Sequence, residues 1–194
     1  QVGCEELLSL KGSLYTYEGA NSSQINRDLA HYQSQGVKVE KISIERLNQL
    51  APCLDDKVTD ALYFSDVGHT SCPATLCNKI ANAFISLGGC VDLNHVQTLS
   101  NASQLLVTTA NTSNFYDKIV ICAGAHSKDL VKQLGYDVPL ETERGYHLML
   151  PIKVDMQVPV ASSDRKFIMT PMKGGLRLAG TVEFGGLKNL PDHR

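Results

Sequence analysis

Hydrophobic and polar positions alternate along the chain with two different periods. Leu76, Ile80, Phe84 and Leu87 fall on one helical face, Pro73 suits a first turn, and Gly88-Gly89 follows. That spacing predicts an amphipathic helix over 73–87. Ile25, Leu29 and Tyr32 predict an earlier helix, opened by Ser22-Ser23 and stopped at Gly36. Ser43 caps a third, short one through Leu47 and Leu50 before Pro52. Between these helices, 12–17, 37–42 and 61–64 carry the apolar and aromatic content of strands.

The middle of the chain reads differently. Ile119, Val120, Ile121, Cys122 and Ala123 form an unbroken apolar run, the look of a strand buried on both faces in a parallel sheet. Ala123-Gly124-Ala125 makes a turn with little bulk, and Leu130, Val131 and Leu134 predict a helix ending at Gly135. Strand, glycine turn and helix in that order either place a ligand at the carboxyl end of an α/β sheet or form an ordinary connection. "CVDLNHVQTL" and 105–108 read as two more strands, and the polar residues between Ser100 and Ser113 as turns. After Gly135 the chain is strand after strand, with a hairpin turn at Lys173-Gly174-Gly175.

The fold class is therefore α+β. An antiparallel sheet with helices on one face, from 1–68 and 140–194, is joined to part of a parallel α/β layer in 69–139. Composition narrows the partners. A net charge of −2 without a long run of one sign argues against nucleic acid and anionic membrane surfaces. No apolar run is long enough to cross a bilayer. "QVGCEELLSL" lacks the pattern of a secretory signal, and six scattered cysteines read as reduced thiols, so a cytoplasmic location is expected. Three sequons, at Asn21, Asn101 and Asn111, carry little weight in such a chain.

Candidate chemistry is sparse. No Gly-x-Gly-x-x-Gly turn opens the parallel portion, and no Ser-His-Asp set or metal cluster stands out. His69 and His147 are lone histidines, which more often serve structure than acid–base work. Arg144 reads first as an ion-pair partner, Tyr146 as a core phenol and Val96 as a buried strand valine.

Several stretches together resemble the FAD-dependent oxidoreductases of the D-amino acid oxidase superfamily, nearest the D-amino acid dehydrogenases and glycine or sarcosine oxidases. "IVICAGAHSKDLVKQLG" is similar to the late strand and turn of that family's flavin domain. "VPLETERGYHLML" resembles the crossing into its substrate domain, and "RKFIMTPMKGGLRLAGTVEFGG" the hairpin that ends beside the flavin. "YFSDVGHTSCPATLCNKIANAFISLGGCV" fits the loop and helix before the adenine-side strand. The stretches keep the family's order and cover nearly the whole chain. They match the middle of longer members and omit the glycine-rich flavin unit and the carboxyl-terminal stretch with its substrate arginine. The chain thus reads as a central fragment, with flavin binding and activity expected of the full-length protein.

The resemblance implies FAD as cofactor, with Val96 beside the adenine, Ala123, Gly124 and Ala125 along the ribityl-diphosphate, and Gly180 and Thr181 near the isoalloxazine. It puts Arg144, Tyr146 and His147 at the substrate cavity. It implies an amino acid or secondary amine oxidised at the α-carbon, an imine that hydrolyses to a 2-oxo acid, and oxygen or a quinone as electron acceptor. Peripheral membrane association of the full-length protein is compatible with it. The alternatives are a flavoenzyme for a 2-hydroxy acid or polyol phosphate, and a non-catalytic module with the substrate-domain fold.

Overall fold

The computed structural model describes residues 3–19 and 22–191. A short 3-10 turn (Glu5–Leu7) leads into β1 (Leu8–Ser9) and β2 (Ser13–Glu18), followed by α1 (Ser22–Ser34), β3 (Val39–Ile42) and α2 (Ile44–Leu50). Next come β4 (Val58–Phe64), β5 (His69–Thr70) and α3 (Pro73–Ser86). The strands β6 (Val96–Asn101), β7 (Leu105–Thr109) and β8 (Ser113–Tyr116) precede α4 (Ser127–Gln133). The chain finishes with β9 (Arg144–Leu150), β10 (Val160–Ser162), β11 (Phe167–Met172) and β12 (Gly175–Glu183). Most elements form where the periodicities place them, with local chemistry fixing their ends. Ser43, for example, accepts a hydrogen bond from the Arg46 N–H at 3.3 Å and so satisfies an orphan donor of α2. Ser22 and Ser23, expected as a cap, are the first residues of α1 itself.

Two units make up the chain: 1–89 with 145–181, and 90–144 with 182–194. The first is built on a seven-stranded sheet in the order β3-β4-β2-β10-β11-β12-β9. Within it β2 pairs antiparallel with β4 and parallel with the central strand β10, Leu14 lying opposite both Tyr63 and Val160. Successive side chains of a strand point to opposite faces, and here both faces are put to use. Leu14, Ala61, Val160 and Leu176 share one face with Leu47 and Leu50 of α2. Tyr17 and Leu62 share the other with Ile25 and Leu29 of α1. The helices therefore lie on both faces of the sheet, where the sequence suggested one. The apolar stripe of α1 and that of α2 each need a sheet face, and β2 and β4 offer one on either side.

The second unit holds an antiparallel three-stranded sheet, β6-β7-β8. Its edge strand β6 is tied to α4 by Gln133, whose Oε1 accepts the Leu99 N–H at 2.8 Å. The strand expected over 119–123 does not form, and Val120 is 84% exposed. A strand of a parallel sheet draws its hydrogen bonds from neighbours on both sides, and among the described residues none pairs with this run. Its apolar pattern is real, but a pattern without a partner cannot make a strand. Likewise α3 forms as expected, yet Ile80 and Phe84 on its apolar face are half-exposed. Among the described residues no helix is long and apolar enough to cross a membrane.

Two stability effects follow from the two-faced sheet. Leu14 is 1% exposed and Leu10 is 78% exposed. Leu14→Ala is expected to cost about 2–5 kcal/mol in chemical denaturation, and Leu10→Ala almost nothing. The Tyr17 hydroxyl donates to Asp28 Oδ2 of α1 at 2.8 Å, and burial together with that carboxylate pushes the phenol well above its usual value. Tyr17→Phe leaves the ring in place but strips Asp28 of its donor. An equilibrium unfolding curve is expected to show a loss of about 1.5–3 kcal/mol.

Candidate functional site

At the β9 end of the large sheet, β9, β12 and the start of β11 line an open cavity of about 350 Å³. Tyr146, His147 and Leu148 line it from β9, Leu178 to Thr181 from β12, and Phe167 from β11. Four residues singled out in the sequence, Tyr146, His147, Gly180 and Thr181, thus meet in one place. Tyr146 is half-buried and His147 exposed. Leu150 packs on the core cluster, and alternation puts Tyr146 and Leu148 on that same face and His147 on the opposite one. The lining is mixed: Leu148, Phe167, Leu178 and Ala179 are apolar, and Tyr146, His147 and Thr181 bring polar groups.

Gly180 has a structural reason to be glycine. A Cβ there would fall 2.5 Å from the Lys166 carbonyl oxygen and 2.7 Å from Phe167 Cα. Lys166 itself takes a left-handed backbone, φ 56°, bringing Phe167 back against β12. Close strand approach accounts for this glycine, and it also sets the floor of the cavity.

Arg144 lies outside that cavity. Its Nη1 is 3.2 Å from Glu183 Oε2, and its Nη2 donates to the Asn189 carbonyl at 2.8 Å. Both side chains are about three-quarters shielded, so the pair ties β9 to the segment after β12 within the second unit. In that unit Val96 is half-buried and opposite Thr109. Gly124 opens a 3-10 turn with φ 54°, and a Cβ there would meet nothing within 4 Å. There is thus free space beside Gly124, while Ala123 and Ala125 on either side are half-buried. His69, the other tempting histidine, sits in β5, where burial holds its imidazole below the usual value, partly offset by the Pro171 backbone.

One residue of interest was missed in the sequence. Arg177 stands in β12 between Leu176 and Leu178, and its Nε is buried with no hydrogen-bond partner. The signal was present: a lone cation inside an otherwise apolar strand, "GLRLAG".

With this geometry in hand, comparison with known proteins gives a consistent answer. Residues 3–194 match the family described as "FAD dependent oxidoreductase". A D-amino-acid oxidase of Bradyrhizobium diazoefficiens is 26% identical over 195 residues, covering 99% of this chain and 46% of its own length. Among solved structures, L-proline dehydrogenase from P. horikoshii superposes with a TM-score of 0.78 at 17% identity, over 98% of this chain and 55% of that one. Glycine oxidase from Geobacillus kaustophilus gives 0.74 at 18% identity, over 96% and 51%. These likenesses establish a shared fold, and the chain spans about half the length of the proteins it matches. A family match that runs nearly from end to end places the chain in the family of FAD-dependent oxidoreductases that includes D-amino-acid oxidase.

Proposed function

We propose that the protein carrying this chain is an FAD-dependent oxidoreductase that oxidises an amino acid or secondary amine at its α-carbon. In this reading 1–68 and 140–194 supply the substrate side, and 69–139 supply part of the flavin side. The observation that carries the reading is the cavity gathering Tyr146, His147, Gly180 and Thr181 in a chain of this family.

The residues present suit a flavin as one contact surface of a larger site. The backbone at 123–125 is open to a ligand, with free space beside Gly124, and Val96 stands on a sheet strand as an adenine contact would. When bound, the flavin supplies the two-electron acceptor for the substrate's hydride. The chain's own groups bind and shield. Leu148, Phe167 and Leu178 exclude water around the reacting carbon. Exclusion of water disfavours a charged amine and so favours the neutral form, whose lone pair assists hydride loss. Tyr146 offers its hydroxyl to the substrate carboxylate while its ring lines the wall, and His147 lines the same cavity. Loss of a hydride from the α-carbon and a proton from nitrogen gives an imine, which water converts to a 2-oxo acid and free amine or ammonia.

The test is made on the full-length protein, with FAD in place. Anaerobic addition of D-amino acids, glycine or proline is expected to bleach the flavin absorbance, and no bleaching by any amino acid or amine would sink the reading. Parallel assays with oxygen and with a soluble quinone separate the two acceptors. Tyr146→Phe is expected to weaken amino-acid binding by roughly 1–3 kcal/mol, seen as a raised KM with flavin content unchanged. An unaltered KM and kcat would make Tyr146 an ordinary wall residue.

A further inference from the structure

In the second unit, the turn between β6 and β7 and the end of β8 line an open cavity of about 560 Å³. Small-molecule sites span ~300–1,000 Å³. The cavity lies at the far end of β6 from Val96, which pairs with Thr109, whereas Asn101 pairs with Leu105. At about 3.3 Å per residue, roughly 17 Å of strand separates the two ends. The proposed flavin contact at Val96 therefore leaves this cavity unused.

The two turns of this sheet use their polar side chains differently. At the β7–β8 turn those side chains hold the turn itself. Thr109 Oγ1 is 3.0 Å from Thr112 Oγ1 and accepts the Asn111 N–H at 3.2 Å, and Asn111 Nδ2 donates to Asn94 Oδ1 at 3.1 Å. At the β6–β7 turn, Asn101, Ser103 and Gln104 make no side-chain hydrogen bond with any described residue, nor does Asp117 just past β8. Two amides, a hydroxyl and a carboxylate thus meet at one cavity with their hydrogen-bonding capacity free. The register adds a floor. Leu105 is opposite Asn101 on one side and Tyr116 on the other, so the three side chains stand in a row on one face. Two strand spacings, roughly 10 Å, separate Asn101 from Tyr116, room for one six-membered ring with its substituents. Phe115 and Tyr116 are 62% and 49% exposed, and the negative face of an aromatic ring attracts polarised C–H groups.

The lining selects the ligand. Asp117 is its only charged side chain among the described residues, so carboxylates and phosphates are repelled. One solvated carboxylate contributes little towards holding a cation. An amide both donates and accepts, and so does a hydroxyl. Free amides beside an exposed ring match a neutral molecule with many hydroxyls and one face of C–H groups. We infer that this cavity is a binding site for a neutral sugar, with hydroxyls on Asn101, Gln104 and Asp117 and the C–H face on Tyr116. The inference draws only on residues of the second unit and does not need the flavin chemistry to be correct.

Saturation-transfer NMR on the full-length protein, with FAD in place, uses glucose, galactose and mannose as probes. Transfer to the ring protons of at least one sugar is expected, and no transfer to any of the three would overturn the inference. Asn101→Ala combined with Gln104→Ala removes two exposed side chains without internal hydrogen bonds, and unchanged flavin content checks that the fold is intact. Calorimetry with the responding sugar is expected to show affinity at least about tenfold weaker in this variant, the effect of two lost hydrogen bonds. Unchanged affinity would put the sugar elsewhere and overturn the assignment. The uronate of the same sugar adds a negative charge and is expected to bind more weakly, because Asp117 repels it. Equal or tighter binding of the uronate would also count against the site. Flavin bleaching by amino acids is read separately, so this inference and the proposed reaction fail independently.

Discussion

The pleat of β2 is the constraint on which the first unit depends. Within that strand, Leu14 is committed to one core and Tyr17 to another. A slip of one residue in register would exchange the two sets and leave both helices facing the wrong side chains. Burial on both sides makes the strand costly to move, and its neighbours β4 and β10 inherit the same register. Farther along the sheet the constraint relaxes. Over β11, β12 and β9 the Leu14 face remains the core side, and the other carries exposed side chains. A sheet anchored at one end and open at the other is a suitable frame for binding, because the open part is held in shape by the closed part.

Local signals in the sequence were legible where one element sufficed to explain them. The stripe at Leu76, Ile80 and Phe84 gave α3, and Lys173-Gly174 gave the tight hairpin that sets Met172 against Gly175. What the sequence could not show were relations between distant segments. Nothing near Leu14 announces that its parallel partner is Val160. The run 119–123 was misread for the same reason: its composition describes what a strand needs on either side, and not whether a neighbour exists. At the site, Tyr146, His147, Gly180 and Thr181 became neighbours only through the adjacency of β9 and β12. Arg177 was visible as a letter, but its lack of a partner is a property of three dimensions.

Family and structure each limit what the other says about individual residues. Resemblance alone would make Gly180 a flavin contact, yet the approach of Lys166 and Phe167 already demands a glycine there. Arg144 would be a substrate ligand by analogy, yet its guanidinium is occupied by Glu183 and Asn189. Structural need and ligand contact are not exclusive, but at Gly180 the structural need alone is on view. Arg177, whose Nε is buried without a hydrogen-bond partner, is a position with little structural explanation.

The parallel pair of β2 and β10 has a consequence for how the chain reaches its fold. Residues 90–144, which belong with 182–194 to the second unit, lie in sequence between the two halves of the large sheet. On a ribosome, β2, β3, β4 and α1 emerge early and can associate with one another. The Leu14 face then waits for Val160 while the whole intervening unit is made. Closing so long a loop costs only a slowly growing entropy, but the interval leaves a hydrophobic strand edge open to other chains. The hairpins of β6, β7 and β8, paired with their sequence neighbours, can form during that wait.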